Sequence, residues 1–170
     1  MIAVLFLGGI FAFVQLTNWT VSQDYSVKFS GKGVTGIFKT FAATITFDES
    51  NLATSKFAIT IDVASLNTGN AMQNRHAIDA EWFDAAKYPK IKFTSTTIQK
   101  NSSGYVVNGK MVVKGKVKEV SIPFNFTNSG STGVFTSTLM IKRSDYGFGE
   151  GNNDVSHEIK VDINVPVTKS

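Results

Sequence analysis

The chain has 170 residues, enough for one domain with a hydrophobic core, and carries a formal charge of +4 at neutral pH. This mild basicity is too small to argue for nucleic-acid binding by itself. The sequence contains no cysteine, which excludes disulfides, cysteine-ligated metal sites and a thiol nucleophile. The stability of the fold therefore has to come from packing.

The first sixteen residues, MIAVLFLGGIFAFVQL, contain no charged side chain. This segment is shorter than the roughly 20 residues that a membrane-spanning helix needs, and it suits the apolar part of an export signal. It has neither a basic residue in front nor a clear small-residue cleavage site. We predict that residues 1–18 are an export signal or an N-terminal anchor, with a buried strand or helix as the alternative. The expected location is periplasmic or otherwise exported.

From Trp19 onward, apolar residues alternate with polar ones in many short segments, as in strands that bury one face. Turn-forming residues such as Gly31-Lys32-Gly33 separate most of these segments. We predict strands near residues 20–30, 33–41, 43–48, 56–64, 90–98, 104–113, 118–127, 133–143 and 156–167. This pattern indicates an antiparallel barrel or sandwich. Since proline donates no ladder hydrogen bond, Pro123 and Pro166 each predict an edge or a bulge.

The connection from Asn67 to Pro89 is far longer than a hairpin needs, and it carries several large apolar side chains. Its apolar residues and Arg75 recur at three- and four-residue steps, which predicts one or two short helices. Pro89 should end the second helix, with Tyr88 already extended. The connection therefore predicts a lid over one end of a barrel, and a plug that only fills that end is the alternative.

A series of short motifs occurs in a definite order along the chain. Around the long connection they are Ser65-Leu66-Asn67-Thr68, Arg75-His76, Trp82-Phe83-Asp84 and Tyr88-Pro89-Lys90-Ile91-Lys92-Phe93-Thr94-Ser95. Elsewhere they are Gly36-Ile37-Phe38-Lys39-Thr40-Phe41, Ile45-Thr46-Phe47-Asp48, Val107-Asn108-Gly109-Lys110-Met111-Val112-Val113-Lys114-Gly115, Val117-Lys118-Glu119-Val120 and Arg143-Ser144-Asp145-Tyr146-Gly147. Together they resemble the YceI-like family of lipocalin-like, exported bacterial proteins described as polyisoprenoid-binding. The resemblance spans roughly Trp19 to Val165. Many members carry an Arg three residues before the lid histidine and a Leu just after it. This chain has Gln73 and Ala77 at those two positions.

The resemblance implies an all-β fold: a single antiparallel, lipocalin-like β-barrel with a short helical lid between two central strands. It also implies non-catalytic binding or carriage of a long isoprenoid lipid, such as a quinone tail or a polyprenyl chain, in an apolar tunnel. Residues 19–170 would then be the lipid-binding barrel domain, and no cofactor is required beyond the bound lipid. An eight-stranded barrel is just wide enough to be filled by side chains or to hold one small ligand, which agrees with this reading.

The candidate ligand contacts fall into two groups. The apolar side chains proposed to line the tunnel are Phe29, Phe38, Phe57, Ile59, Ile61, Phe93, Met111, Phe124, Phe126, Leu139 and Ile163. The alternative is that they fill a solid core. In the lid, Trp82 and Phe83 are further candidates. Arg75 and His76 are candidates for a polar rim that binds a quinone carbonyl or a phosphate head, and a lid hydrogen bond to backbone is their alternative.

Two other charged groups have structural explanations. Arg143 and Asp145 predict an ion pair or a turn brace. Four lysines cluster around one predicted hairpin, namely Lys110, Lys114, Lys116 and Lys118. A solvated hairpin that resists strand pairing is the favoured explanation, and contact with anionic lipid headgroups is the alternative.

Known enzyme motifs are missing from the sequence: it has no G-x-S-x-G, H-E-x-x-H, P-loop or dinucleotide fingerprint. We therefore expect no catalytic and no metal site. The expected partner is an isoprenoid lipid and not nucleic acid, while transient membrane-surface contact and a homodimer are left open. The alternative functions are a structural or stress-related envelope protein with a filled barrel, and a hydrolase or isomerase that uses His76.

Overall fold

The computed structural model describes residues 16–170, so almost all of the predicted signal or anchor lies outside the described residues. Within them, eleven strands and two short α-helices follow one another along the chain. The strands are β1 (Asn18–Val21), β2 (Ser26–Gly31), β3 (Val34–Phe38), β4 (Phe41–Thr46), β5 (Lys56–Asp62), β6 (Leu66–Asn67), β7 (Lys90–Asn101), β8 (Gly104–Val113), β9 (Lys116–Ser129), β10 (Thr132–Lys142) and β11 (Glu158–Lys169). The helices are α1 (Ala71–Ile78) and α2 (Arg143–Tyr146), and 3₁₀ turns occupy Leu52–Thr54 and Val63–Ser65.

Eight of the strands close into an antiparallel barrel in the order β1-β4-β5-β7-β8-β9-β10-β11, with β11 pairing back onto β1. The three remaining strands form a branch, because β2 also pairs with β11 and is followed across the sheet by β3 and β6. The prediction of an all-β, single antiparallel barrel with a short helical lid is confirmed. None of the helices in residues 16–170 is long and apolar enough to cross a membrane.

The first predicted strand, residues 20–30, is wrong as a single element. It is two strands, β1 and β2, which pair with successive parts of β11 and are separated at residues 22–25. On their other edges, β1 continues the barrel to β4, whereas β2 turns into the hairpin with β3. Because of this break, β11 is shared between the closed barrel, through β1, and the branch of β2, β3 and β6.

Pro123 and Pro166 each lie where the hydrogen-bonded pairing with the neighbouring strand on one side is interrupted. The pairing of β9 with β10 ends at Asn125 and Thr136, two residues short of Pro123. The Pro123 carbonyl faces β10, since it accepts a hydrogen bond of 2.6 Å from Ser137 Oγ. The nitrogen and the carbonyl of one residue point to the same side of an antiparallel strand, so the Pro123 nitrogen also faces β10. Because this nitrogen carries no hydrogen, it cannot extend the ladder. Pro166 lies between the part of β11 that pairs with β2 and the part that pairs with β1. The expectation of strand edges is confirmed.

The ladders define two different ends of the barrel. The lid end carries the connections at residues 32–33, 63–89, 114–115 and 143–157, and the plug end carries those at residues 47–55, 102–103 and 130–131. The plug end is filled by an aromatic plug that consists of Trp19, Phe47, Phe57, Tyr105, Phe124, Phe126 and Phe135. At its centre, the ring of Phe47 lies 5.1–6.0 Å from five of the other rings. This half of the barrel is a solid core.

Candidate functional site

The lid-end half of the barrel contains a cavity of about 340 Å³, within the range of about 300–1,000 Å³ that is usual for ligand pockets. Apolar residues from β2, β3, β5, β7, β8, β9, β10 and β11 form most of its wall. Within residues 16–170, every buried side-chain nitrogen or oxygen has a hydrogen-bond partner. The wall therefore offers a ligand apolar contact and no buried polar group in need of a partner.

Two phenylalanines that line this cavity lean sideways over glycines of the neighbouring strand. A Cβ atom at Gly36 would lie 2.5 Å from the Phe29 ring, and one at Gly109 would lie 2.7 Å from the Phe93 ring. Because each glycine has no side chain, each ring occupies space beside the barrel wall that a side chain would otherwise fill. The space along the barrel axis stays free, which is why two buried aromatic rings do not fill the cavity.

Helix α1 and the following turns form the lid. Asn70 caps α1, since its side-chain oxygen accepts hydrogen bonds from the backbone N–H groups of Met72 (2.9 Å) and Gln73 (3.2 Å). No residue of α1 is fully buried, and Met72 is 60% exposed although it contacts the cavity. The helix is therefore attached to the barrel by few apolar contacts.

The predicted second helix of the lid is wrong, because residues 79–89 form turns instead. The chain folds back against the end of α1: the Phe83 N–H donates to the Ala77 carbonyl (3.1 Å) and the Ala85 N–H to the Ile78 carbonyl (2.9 Å). Asp84 adopts a left-handed backbone conformation, with φ of 49°, which a continuing helix would not allow. These turns place Trp82 and Phe83 against the cavity.

Arg143 braces the loop on the other side of the mouth. Its buried guanidinium donates hydrogen bonds to five backbone carbonyls, those of Phe148, Gly149, Asn152, Val155 and Ser156. Burial lowers the pKa of this guanidinium. Among the described residues no carboxylate forms a salt bridge with Arg143, so of the two predicted explanations the brace is confirmed and the ion pair with Asp145 is wrong.

Three contacts join this braced loop to the lid. The Gly149 N–H donates to the Glu81 carbonyl (2.9 Å), and the rings of Phe83 and Phe148 stack 4.8 Å apart. Lys114 completes the connection, because its ammonium group donates to the Glu81 carbonyl (3.2 Å) and the Gly147 carbonyl (3.1 Å). The turns after α1 are thus fixed to the barrel rim. One of the four clustered lysines has this structural role, which the sequence did not show. The helix α1 is tied to β6 through Asn74, whose side chain accepts from the Thr68 N–H (2.8 Å) and donates to Asn67 Oδ1 (3.2 Å).

Eleven of the fifteen predicted ligand contacts lie around the cavity. They are Phe29, Phe38, Ile59, Ile61, His76, Trp82, Phe83, Phe93, Met111, Leu139 and Ile163. Phe57, Phe124 and Phe126 lie in the aromatic plug, and the Arg75 side chain is exposed on α1 away from the cavity wall. Sequence reasoning missed the late-loop residues Asn152 and Val155, which follow no strand pattern, and Val27, which has the inward parity of Phe29.

The polar residues at the mouth are few. Six polar or charged residues contact the cavity, namely Thr68, Gln73, His76, Lys92, Asn152 and Arg143, and all but Lys92 of β7 belong to the lid or the late loop. The five N–H groups of Arg143 and the hydroxyl of Thr68 already form hydrogen bonds within the protein. Lys92 is exposed and alternates with the inward Ile91 and Phe93, so the side chains left to meet a polar head are those of Gln73, His76 and Asn152. No group of three or more potential metal-ligating His, Cys, Asp or Glu side chains occurs in residues 16–170.

Comparison with known proteins identifies the family to which this chain belongs. Residues 18–167 match the family model described as the YceI-like domain. The chain belongs to the YceI-like family. It is 33% identical over 136 residues to UPF0312 protein plu2095 of Photorhabdus laumondii and 30% identical to protein YceI of Escherichia coli O157:H7, covering 76% of this chain and 71% of each relative.

Solved structures of YceI-like proteins share the fold. BcnA of Burkholderia cenocepacia is 32% identical, with a TM-score of 0.82 over 88% of this chain and 100% of BcnA. A domain from Saccharophagus degradans, described as polyisoprenoid-binding and implicated in plant cell wall breakdown, has a TM-score of 0.71 over 89% of this chain and 98% of that domain. At 16% identity, this last likeness is one of fold.

Proposed function

We propose that this YceI-like barrel binds the hydrocarbon chain of an isoprenoid lipid, such as a quinone tail or polyprenyl chain, and performs no catalysis on it. The observation that carries the proposal is the cavity at the lid end: it is lined by apolar side chains, and no buried side-chain polar atom in the described residues lacks a partner. Such a wall favours a ligand that presents only apolar surface to it.

The energetics of burial support a chain of several isoprene units. Each methylene or methyl group moved from water into an apolar site contributes about 0.8 kcal/mol. About 15 buried carbons, or three isoprene units, would contribute about 12 kcal/mol. After an association cost of at least about 4 kcal/mol, at most about 8 kcal/mol remains, which corresponds to a Kd of about 1 μM or weaker.

The polar head of such a lipid would lie at the mouth. Gln73 and His76 on α1 and Asn152 in the late loop all contact the cavity there. These side chains suit a quinone carbonyl or a hydroxyl, which exchange single hydrogen bonds, better than a phosphate. The arginine that contacts the cavity, Arg143, has no free N–H group, and Lys92 lies on the exposed face of β7. We therefore propose a neutral head group.

Family membership and the description of the Saccharophagus degradans domain as polyisoprenoid-binding agree with this proposal. We further propose an exported location for the protein, from the uncharged apolar segment at residues 1–16. In that setting the barrel would bind the lipid at an envelope membrane and shield its tail from water.

The test uses the intact protein and farnesol, an isoprenoid alcohol of three units. Native mass spectrometry of protein purified from cells, and of protein incubated with farnesol, should show a bound adduct, and farnesol should raise the melting temperature. Met111→Trp places a large ring in the cavity, and Val112→Trp places the same ring on the outward side of the same strand. The adduct and the thermal shift should be lost in M111W and kept in V112W.

Two results would contradict the proposal. One is the absence of any adduct or thermal shift in the native protein with farnesol, ubiquinone or longer polyprenols, which would favour a purely structural barrel. The other is equal binding by M111W and V112W, which would place the ligand elsewhere on the molecule.

A further inference from the structure

The boundary between the cavity and the aromatic plug lies at a similar height on several strands. On β5 the cavity is lined by Ile59 but not by Phe57, and on β9 it is lined by Ile122 but not by Phe124. On β10 the last lining residue is Leu139, and Phe135 lies below it. The floor of the cavity is therefore a layer across the barrel and not a gradual taper.

Three rings form this layer. Phe57 lies 5.4 Å from Phe124 and 5.5 Å from Phe135, and Phe124 lies 6.0 Å from Phe135, so the three rings contact one another around the barrel axis. All three side chains are buried. Phe47 supports them from below, at 5.3–6.0 Å from each ring. A chain that reaches the layer cannot advance without displacing packed aromatic side chains.

We propose that the layer of Phe57, Phe124 and Phe135 is a stop that sets the length of hydrocarbon the barrel can bury. This rests on the proposed function, since it concerns the same cavity, and it adds a specificity rule: the chain is accepted whole up to a limit, and any longer part stays outside the barrel. For a lipid longer than the limit, the buried part is thus the terminal segment of its chain, and the carbons next to the head stay outside the barrel.

The depth of the cavity gives the scale of the limit. On β11 the lining runs from Ile159 to Ile163. Four residue steps in a strand span about 13 Å, and a strand tilt of about 40° reduces this to about 10 Å along the barrel axis. Lid residues such as Met72 and Trp82 also line the cavity, so about 10 Å is the depth within the strands and the lid adds to it. The stop therefore predicts a buried segment of a few isoprene units.

The proposal predicts a break in a plot of affinity against chain length. Each added methylene that enters the cavity should tighten binding about fourfold, because its burial has a fixed favourable free energy. Once the chain end meets the stop, further methylenes remain in water and the affinity should no longer change. Straight-chain primary alcohols from hexanol to eicosanol, measured by isothermal titration calorimetry on the intact protein, would locate the break.

Two substitutions on the same face of β9 should move the break in opposite directions. Phe124→Ala removes a ring of the stop and should shift the break to longer alcohols, whereas Ile122→Phe, one inward position above it, should shift the break to shorter ones. Trp19→Phe is the control, because the Trp19 ring contacts Phe126 in the lower plug, packs on none of the three rings of the stop and does not line the cavity. The affinity of this control variant should stop rising at the same alcohol chain length as that of the native protein.

The outcomes separate the two proposals. If the native protein binds the alcohols without a break, or if the break stays in place in both F124A and I122F, the stop is disproved while the binding function stands. If the native protein binds none of the alcohols, both proposals fail. If F124A does not fold, I122F tests the stop alone, because it keeps all three rings of the stop. A break at shorter alcohols in I122F would then support the stop, and an unchanged break would disprove it.

Discussion

Arg143 and Trp82 lie against each other at the mouth of the cavity, with the guanidinium carbon 5.2 Å from the centre of the indole ring. Trp82 belongs to the lid and Arg143 begins the late loop, so this contact joins the two segments that surround the mouth. Because the same guanidinium also binds five carbonyls, the shape of the mouth depends on one side chain.

Replacing Arg143 by lysine should destabilise the protein by about 2–4 kcal/mol, although the charge is kept. Lysine has three N–H groups where arginine has five, so at least two buried carbonyls would lose their donor. Urea unfolding measures the loss, and hydrogen exchange should show faster exchange in residues 147–156. Asp145→Asn is the control, expected to stay within about 0.5 kcal/mol of the native protein. An equally large loss in D145N would revive the ion pair.

Removing the cap of α1 should loosen the lid without unfolding the barrel. Asn70→Ala costs about 1 kcal/mol of local stability, and α1 has no fully buried residue that could compensate. The amides of residues 72–78 should therefore exchange about fivefold faster, with global unfolding unchanged. Asn101→Ala removes a similar side-chain bond, to the Ser103 N–H at the plug end, and should leave α1 unaffected. Unchanged exchange in N70A would show that other contacts hold the helix.

A methyl group at Gly36 or Gly109 should reduce the size of the cavity. The new Cβ would meet the Phe29 or Phe93 ring and also a carbonyl oxygen, that of Asn67 at 2.6 Å or that of Thr94 at a shorter distance. Ring and backbone must therefore both shift, the ring toward the space along the axis, at a cost of about 3 kcal/mol or more in stability. Gly133→Ala is a control at the plug end, where the new Cβ would lie 2.5 Å from the Phe126 ring but 3.2 Å from the nearest backbone oxygen, that of Thr127. G36A and G109A should weaken farnesol binding more than G133A does. Equal weakening in all three would indicate a general loss of stability.

The protein should lose stability between pH 10 and pH 12 through Tyr105. Burial, with the hydrogen bond of 2.8 Å to Glu49, raises the pKa of this phenol from 10.0 to about 12. The unfolded chain therefore releases the proton at a lower pH than the folded chain, so the stabilisation is complete below pH 10 and is lost by about pH 12. Denaturant unfolding across this range should show a smaller decline in Tyr105→Phe. The same decline in Y105F would assign the effect to other groups, such as Tyr146, whose pKa burial also raises.

The period of two along the strands predicted the barrel well, because the parity of a residue decides which side of a sheet it faces. Ile59, Met111 and Ile163 were placed inside for this reason, and they are inside. Parity carries no information about height in the barrel. Phe57 and Phe124 face inward as the cavity residues do, yet they lie in the plug, since their level depends on strand register and tilt.

Side-chain roles that depend on three-dimensional neighbours could not be predicted. The carbonyls that bind Arg143 come from a loop without a periodic pattern, and Lys114 finds its acceptors in two segments far from it in sequence. The lid helix was predicted from its spacing, but its apolar residues Met72 and Ile78 are 60% and 36% exposed. Spacing indicates a helix, and only the barrel rim determines which face of it is buried.

The early end of the β9–β10 ladder at Pro123 makes the upper wall of the barrel an incomplete tube. Beyond Asn125 and Thr136 the paired register between these strands stops, and the hydrogen bond from Ser137 Oγ to the Pro123 carbonyl connects them. The two walls can therefore move apart at this seam without breaking a paired ladder. If the barrel binds a hydrocarbon chain as proposed, this seam would let the cavity widen while the layer of Phe57, Phe124 and Phe135 limits its depth, and a branched chain would fit more readily than a long one.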